Sequence, residues 1–139
     1  HRPEPHDSAL LHVTGAARYV DDIPAPAGCL HLAFGLSAVA RGRLVSLDLS
    51  AVRAAPGVVA ALAWGDLRRP ADTSPSLHDE PLLCDGTVQF LGQPLFLVIA
   101  TSHLAARKAA RLSRAEIAEE APVLTIDDAL AAGWRFEEG

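Results

Sequence analysis

Val88-Gln-Phe-Leu-Gly-Gln-Pro-Leu-Phe-Leu-Val-Ile-Ala100 is the stretch that decides the fold. It reads as two strands hinged at Gly92-Gln93-Pro94, the second made of the apolar residues Leu95 to Ala100. A strand this apolar needs cover on both faces, which places it at the centre of a fold. A helix follows from Ser102 to about Leu112, with Ser102 able to cap it. Ala105, Ala109 and Leu112 share one face at helical spacing, and small alanines let a helix approach a sheet closely. Arg107, Lys108 and Arg111 are left to solvent, in the C-terminal half where cations favour the helix dipole. The stretch holds no nucleophile, no acid–base pair and no metal ligand, so its meaning is architectural.

Working upstream, Gly57 to Ala63 reads as a buried strand, preceded by a helical turn from Ala51 to Ala55 that Ser50 caps and Pro56 stops. Leu44 to Leu49 is a strand with Val45, Leu47 and Leu49 inward and Ser46 and Asp48 outward. Cys29 to Leu36 alternates as a half-buried strand, with Leu30, Leu32, Phe34 and Leu36 expected to face the core and Cys29, His31, Ala33 and Gly35 pointing the other way. Two such patterns around Arg41-Gly42-Arg43 are expected to pair. Val13 to Pro24, with Gly15 inside it, is expected to be an ordered, mostly non-helical opening strand, and Pro24-Ala-Pro-Ala-Gly28 a turn. Residues 1–9 are expected to be a mobile lead-in. Downstream, Ala115 to Ala118 is a short strand. Thr125 with Asp128 makes a capping box for a last helix ended by Gly133. Strand, short helix, strand recurs around residues 44–63 and 95–117, which is α/β organisation with local crossovers.

The chain has 139 residues and is 50% hydrophobic, enough for one domain with a real core. Its net charge is −5 and it lacks a basic patch interleaved with aromatics, which argues against nucleic acid as a partner. Its apolar runs are too short to span a bilayer, and no signal-peptide pattern opens it. The two cysteines, Cys29 and Cys84, are too few for a disulfide scaffold and are expected to be reduced thiols in a cytoplasmic protein, with Cys29 a small packing residue. There is no methionine, the initiator included, so the chain is expected to be cut from something longer. Lys108 is the only lysine, and this arginine and alanine bias fits a GC-rich bacterial genome.

Reactive constellations are scarce. The acidic pairs Asp21-Asp22, Asp79-Glu80, Glu119-Glu120, Asp127-Asp128 and Glu137-Glu138 are adjacent residues, which point in different directions and read as turns, caps and solvated surface. His78-Asp79-Glu80 with Cys84 matches no zinc spacing. Ser76, His78 and Asp79 have the residue types of a triad without its convergence. Gly35-Leu-Ser-Ala-Val39 begins like a nucleophile elbow, but Val39 stands where the second glycine belongs. No phosphate-cradling glycine loop is present. His31 and His103 read as surface or cap-adjacent. Gln93 is the polar residue to watch, with backbone bonding at the hinge as its expected role. Arg68 to Gly86, with Pro70, Pro75 and Pro81, is a long loop of the kind that is usually functional or interfacial.

His12-Val-Thr-Gly-Ala-Ala-Arg-Tyr-Val-Asp-Asp-Ile-Pro24 resembles the opening of the molybdenum-binding subunit of the xanthine dehydrogenase/aldehyde oxidase family. Ser37-Ala-Val-Ala-Arg-Gly-Arg-Leu44, Pro56-Gly57-Val58, Leu91-Gly-Gln-Pro94 and the Ala-rich helix after Ser102 follow in the family's order. Together they resemble its N-terminal α/β hammerhead domain over about residues 10–132. The serine-to-arginine turn and Asp72 to Pro81 look most like bacterial xanthine dehydrogenase. Ala115-Glu116-Ile117 departs from relatives that carry an aromatic after the glutamate.

The resemblance implies an α/β (α+β) fold, a mixed sheet with short crossover helices. It implies a lead-in over 1–9, the hammerhead over 10–132, and over 133–139 the start of a linker to a molybdopterin-binding domain. It further implies a parent enzyme that hydroxylates xanthine or aldehydes at a molybdopterin centre and passes electrons through 2Fe-2S clusters and FAD. The implied partners are the remainder of the large subunit and the FAD/iron–sulfur subunit, with neither nucleic acid nor membrane. No catalytic, cofactor-binding or metal residue carries over, because the family's pterin-holding residues lie C-terminal to the hammerhead. The expectation is therefore a structural, catalytically silent piece of a molybdenum hydroxylase. The alternative is an independent binding module that uses loop 68–86, and a self-contained hydrolase is the least supported reading.

Overall fold

The computed structural model describes residues 3–4, 6–68 and 71–134. Along the chain run α1 (Ala9–Val13), β1 (His31–Leu36), β2 (Gly42–Asp48), α2 (Ser50–Arg53), β3 (Val58–Ala63), β4 (Thr87–Val88), β5 (Pro94–Ala100), α3 (His103–Ala110), β6 (Arg114–Glu119) and α4 (Ile126–Ala131). The strands form two three-stranded sheets, ordered β1-β5-β3 and β4-β2-β6. Every neighbouring pair is antiparallel. The α/β elements and short helices are as expected, but the single mixed sheet becomes two antiparallel ones.

Consecutive strands always lie in different sheets. This overturns the expected hairpin between Cys29–Leu36 and Leu44–Leu49. β1 instead pairs with β5, His31 opposite Ala100, and β2 pairs with β6, Gly42 opposite Glu119. The turn between β1 and β2 is held elsewhere: Ser37 N–H donates to the Gln93 carbonyl at 2.9 Å, and Gly92 N–H donates to the Ser37 carbonyl at 2.9 Å. The short connection is thus a crossover clasped against the β4–β5 hinge, and alternation alone does not say which partner a strand takes. The first strand of the opening stretch also shrinks to Thr87–Val88.

The first sheet explains the core. Opposed residues of an antiparallel pair project to the same face. One face therefore collects Ala33, Val98 and Ala61 in one row and Gly35, Phe96 and Ala63 in the next. Helix α3 covers this face with Ala106 and Ala109, and Phe96, Val98, Ala100, Ala106 and Ala109 are all essentially inaccessible. The small residues sit where the helix comes closest. Gly35 has no Cβ because the Phe96 ring occupies that space. From the second sheet and its flanks, Leu49, Val52, Cys84 and Val88 complete the same core.

The opposite row was expected to be the packed one, and the structure reverses this. Leu32 is 55% exposed, Phe34 43% and Leu36 57%. Helices α2 and α3 both pack against this sheet, and α3 takes the alanine and glycine face. Cys29, expected in the core, is exposed as well. In β2 the register shifts between Leu44 and Ser46, which turns Val45 outward (54% exposed) while Leu49 stays buried.

Local chemistry fixes the helices. Ser102 caps α3, its Oγ accepting from Ala105 N–H at 3.1 Å, as the sequence indicates. Ser102→Ala is expected to cost about 1 kcal/mol, seen as a lower urea midpoint with an unchanged slope. The α3 face is carried by Ala106 and Ala109, while Leu112 remains 48% exposed. Helix α2 starts at Ser50 rather than being capped by it. Asp48 Oδ1 accepts from Ser50 N–H at 2.8 Å, and these bonds to Ser50 hold the Asp48 carboxyl below its usual pKa. Thr125 caps α4 by accepting from Asp128 N–H at 3.1 Å, and Gly133 ends that helix at φ +74°.

The opening segment is corrected. Residues 13–24 hold the end of α1 and a 3-10 turn at Val20–Asp22, with no strand and no buried residue. Glu137, Glu138 and Gly139, most of the expected 133–139 linker, and Pro70 of the long loop lie outside the described residues.

Candidate functional site

The long loop was the first place to look. Its two limbs meet through an isolated bridge between Asp72 and Pro81. Thr73 N–H donates to the Glu80 carbonyl at 2.8 Å, and Leu82 N–H donates to the Ala71 carbonyl at 2.7 Å. Ser74 organises the tip, its Oγ accepting from Leu77 N–H at 3.1 Å and His78 N–H at 3.0 Å. Asp72 Oδ1 accepts from Ser74 N–H at 2.8 Å. Backbone groups of residues 71–82 and the side chains of Asp72, Thr73 and Ser74 thus hold the loop's own turn.

The constellation Ser76, His78 and Asp79 does not converge. His78 sits at φ +56° with its Nδ1 3.8 Å from Asp72 Oδ1, facing water rather than Asp79. Ser74, which the sequence reading passed over, is the serine with a structural role. The signal for it was Asp72-Thr-Ser74, an Asx turn followed by a serine that can cap backbone donors. Cys84 lies apart from His78, Asp79 and Glu80, buried in the core with its Sγ toward the Thr87 carbonyl at 3.4 Å. Among the described residues, no group of three His, Cys, Asp or Glu side chains could hold a metal ion. Gly35 is strand backbone and Ser37 bonds Val39 at both ends (2.8 and 3.0 Å), so the elbow-like stretch is a turn. The described acidic pairs, Asp21-Asp22, Asp79-Glu80, Glu119-Glu120 and Asp127-Asp128, are all exposed.

Gln93 does what the sequence indicates. It is 3% exposed, its Oε1 accepts from Gln89 N–H at 2.6 Å, and its Nε2 donates to the Thr87 carbonyl at 3.2 Å. Two sequence motifs, Ser37 to Leu44 and Leu91 to Pro94, therefore meet at one joint where the chain crosses between sheets twice.

The grooves of the surface offer little chemistry. An open one of about 510 Å³ runs past Arg41, Phe90, Leu91, Glu120, Leu124 and Trp134. Its two charges are already paired, Arg41 Nε to Glu120 Oε2 at 3.1 Å, and the guanidinium lies 5.3 Å from the Trp134 ring centre. Every buried side-chain nitrogen or oxygen among the described residues has a partner. A pterin or a metal centre needs converging free donors. The described residues do not fit such a group.

The thiols differ in a way that can be measured. Burial is the main cause that pushes the Cys84 thiol above its ordinary pKa. In the unfolded chain Cys84 ionises first as pH rises, so stability is full below that value and falls as pH climbs toward the folded one. Cys29 is expected to react with a maleimide at once and Cys84 only on unfolding. Alkaline loss of stability should be shallower in Cys84→Ala. Peptide mapping and urea curves across the alkaline range check both.

Similarity to known proteins follows the geometry. Residues 14–121 match the family described as aldehyde oxidase and xanthine dehydrogenase, a/b hammerhead domain. Xanthine dehydrogenase of Oryza sativa subsp. japonica is 36% identical over 132 residues, covering 95% of this chain and 10% of that protein. Xanthine dehydrogenase of Drosophila subobscura is 39% identical over 139 residues, covering 99% of this chain and 10% of that protein. Among solved structures, aldehyde oxidoreductase from Desulfovibrio desulfuricans ATCC 27774 superposes with a TM-score of 0.80 at 27% identity, over 91% of this chain and 15% of that one. The chain spans about a tenth of the length of the curated relatives it matches. No described helix is long and apolar enough to cross a membrane. With its crossing strands, two antiparallel sheets and this match, the chain belongs to the aldehyde oxidase and xanthine dehydrogenase family, as its a/b hammerhead domain.

Proposed function

We propose that this chain is the hammerhead portion of the molybdopterin-binding subunit of a bacterial xanthine dehydrogenase, and that it packs the enzyme together without supplying a reacting group. The observation that carries the reading is the identity of 36–39% to xanthine dehydrogenases over nearly the whole chain. The silence of the surface supports the structural role, since the candidate reactive groups do not converge. In the parent, a molybdenum centre would supply hydroxylation of xanthine or hypoxanthine to urate, and 2Fe-2S clusters and FAD would carry the electrons away. The partners are the rest of the large subunit and the FAD/iron–sulfur subunit, and the compartment is the cytoplasm. The alternative of a free-standing binding module gains nothing from residues 71–82, whose hydrogen bonds hold the loop's own turn.

The test uses the full-length enzyme with its subunits. Molybdenum content and kcat/KM are measured for xanthine and for an aromatic aldehyde. The reading expects bound molybdenum and a preference for xanthine. A preference for the aldehyde overturns the substrate assignment, and a full-length protein without molybdenum overturns the enzyme class.

A further inference from the structure

The two edges of the β1-β5-β3 sheet are finished differently. The chain closes the β3 edge itself. Arg53 donates to the Ala61 carbonyl through Nε at 3.3 Å and Nη2 at 3.2 Å, and Ala63 N–H donates to Asp66 Oδ2 at 2.9 Å. Asp66 also holds the Arg53 guanidinium at 3.3 Å. Residues two apart in a strand turn their backbone groups the same way, so Ala61 and Ala63 face away from β5. Their partners Val98 and Phe96 then turn toward β1, where they meet Ala33 and Gly35. That leaves Leu32 and Phe34 with N–H and C=O at the open edge of β1, where no described group bonds them.

Edges are usually blunted by charge, proline or a bulge. β1 carries no proline, Lys, Arg, Asp or Glu, and its irregularity falls at its end, between Gly35 and Leu36. By contrast β6, at an edge of the other sheet, carries Arg114, Glu116 and Glu119. The charge beside β1 comes from α3. A groove of about 500 Å³ touches each of Ala33 to Leu36, and so lies at the strand's edge rather than on one face. Its other wall holds Arg107, Arg111 and Ser113. Arg107 and Arg111 are exposed, about one helical turn apart, and neither has an ion pair among the described residues. No Asp or Glu occurs in residues 23–47 or 86–115, which build both walls, although the net charge of the chain is −5.

We propose that the open edge of β1 takes an added β-strand from a separate polypeptide, an extended segment with carboxylates at alternate positions. Backbone groups of Leu32 and Phe34 supply the pairing, and Arg107 and Arg111 meet the carboxylates that point to the α3 side. Side chains on the other face of the added strand lie beside exposed Leu32 and Phe34, which favours apolar residues there. Asp79 and Glu80 line the surface beyond Phe34, so carboxylates fit the α3 side alone. A second copy of this chain is the wrong partner, because two β1 edges meeting bring both sets of Arg107 and Arg111 together. This surface is independent of the enzyme assignment.

The test titrates the full-length protein with a fluorescent peptide of about seven residues that alternates glutamate and valine. Two controls are the lysine–valine analogue and the glutamate peptide with its backbone nitrogens methylated. Amide hydrogen exchange at Leu32 and Phe34 reports where the peptide sits. The glutamate peptide is expected to bind and to slow exchange at both amides, while each control binds at least about tenfold more weakly. In the double variant Arg107→Glu with Arg111→Glu, both on the exposed side of α3, the preference between glutamate and lysine peptides should reverse. Equal binding of the three peptides, or binding without slowed exchange at Leu32 and Phe34, overturns the proposal. Amides already slowed in the protein alone, with no peptide taken up, overturn it as well. The cover is then a second copy if the slowing disappears on dilution, and the protein's own polypeptide if it persists.

Discussion

Gly35→Ala is expected to destabilise the domain by about 3 kcal/mol, at the upper end of what overpacking a core costs. The added methyl would fall inside the Phe96 ring. Phe96 is 1% exposed at the centre of the core and cannot swing into water. Retreat of the β1 backbone would break its pairing with β5, in which Gly35 lies opposite Phe96. Gly65→Ala is the control: a Cβ there meets nothing within 4 Å, and its effect should stay within about 0.5 kcal/mol. Urea denaturation of both variants checks the difference. Equal midpoints would mean that the Phe96–Gly35 contact is not the tight point of the core.

Gln93→Leu is the second large effect, expected at about 2–4 kcal/mol. The side chain, itself buried, serves two backbone groups, Gln89 N–H and the Thr87 carbonyl. Leucine fills the space and removes both bonds, leaving the Thr87 carbonyl only the weak Cys84 thiol donor, which costs more than the lost bonds alone. Gln93→Glu keeps the acceptor for Gln89 N–H, loses the donor for Thr87 and buries a charge, so it should be no better. The distinguishing readout is turnover. A structural glutamine lowers the yield of folded enzyme and its thermal midpoint but leaves kcat per bound molybdenum within about twofold, whereas loss of a reacting group costs roughly a hundredfold or more.

How much of this was legible beforehand can be followed residue by residue. Strand β5 and helix α3 were readable because six apolar residues in a row and a serine cap are local signals. Gln93 was readable because a lone amide beside a glycine and a proline in an apolar setting must find backbone partners. Pairing was not readable. The alternation in β1 and in β2 is compatible with either a hairpin or a crossover, and the clasp between Ser37 and Gln93, far apart in sequence, decides it. The inward face of β1 was misjudged for a related reason. A sequence separates two faces, and the larger residues were taken as the packed ones. Within this chain it is Ala33 and Gly35 that lie under α3, because close helix approach needs small side chains. For the candidate site, residue types excluded a zinc pattern and a phosphate loop, but only geometry shows His78 turned from Asp79 and Cys84 sunk in the core.

The central claim is that this part of the enzyme holds structure and takes no step in the chemistry. It is tested most directly by turnover per bound molybdenum in the full-length enzyme carrying His78→Ala, Asp79→Ala and Glu80→Ala together, the cluster that most resembles a reactive one. The account predicts kcat per molybdenum within about twofold of the parent, because these exposed side chains touch no reacting atom. A fall of roughly a hundredfold at full molybdenum content, the size expected for loss of a general acid or base, would contradict it.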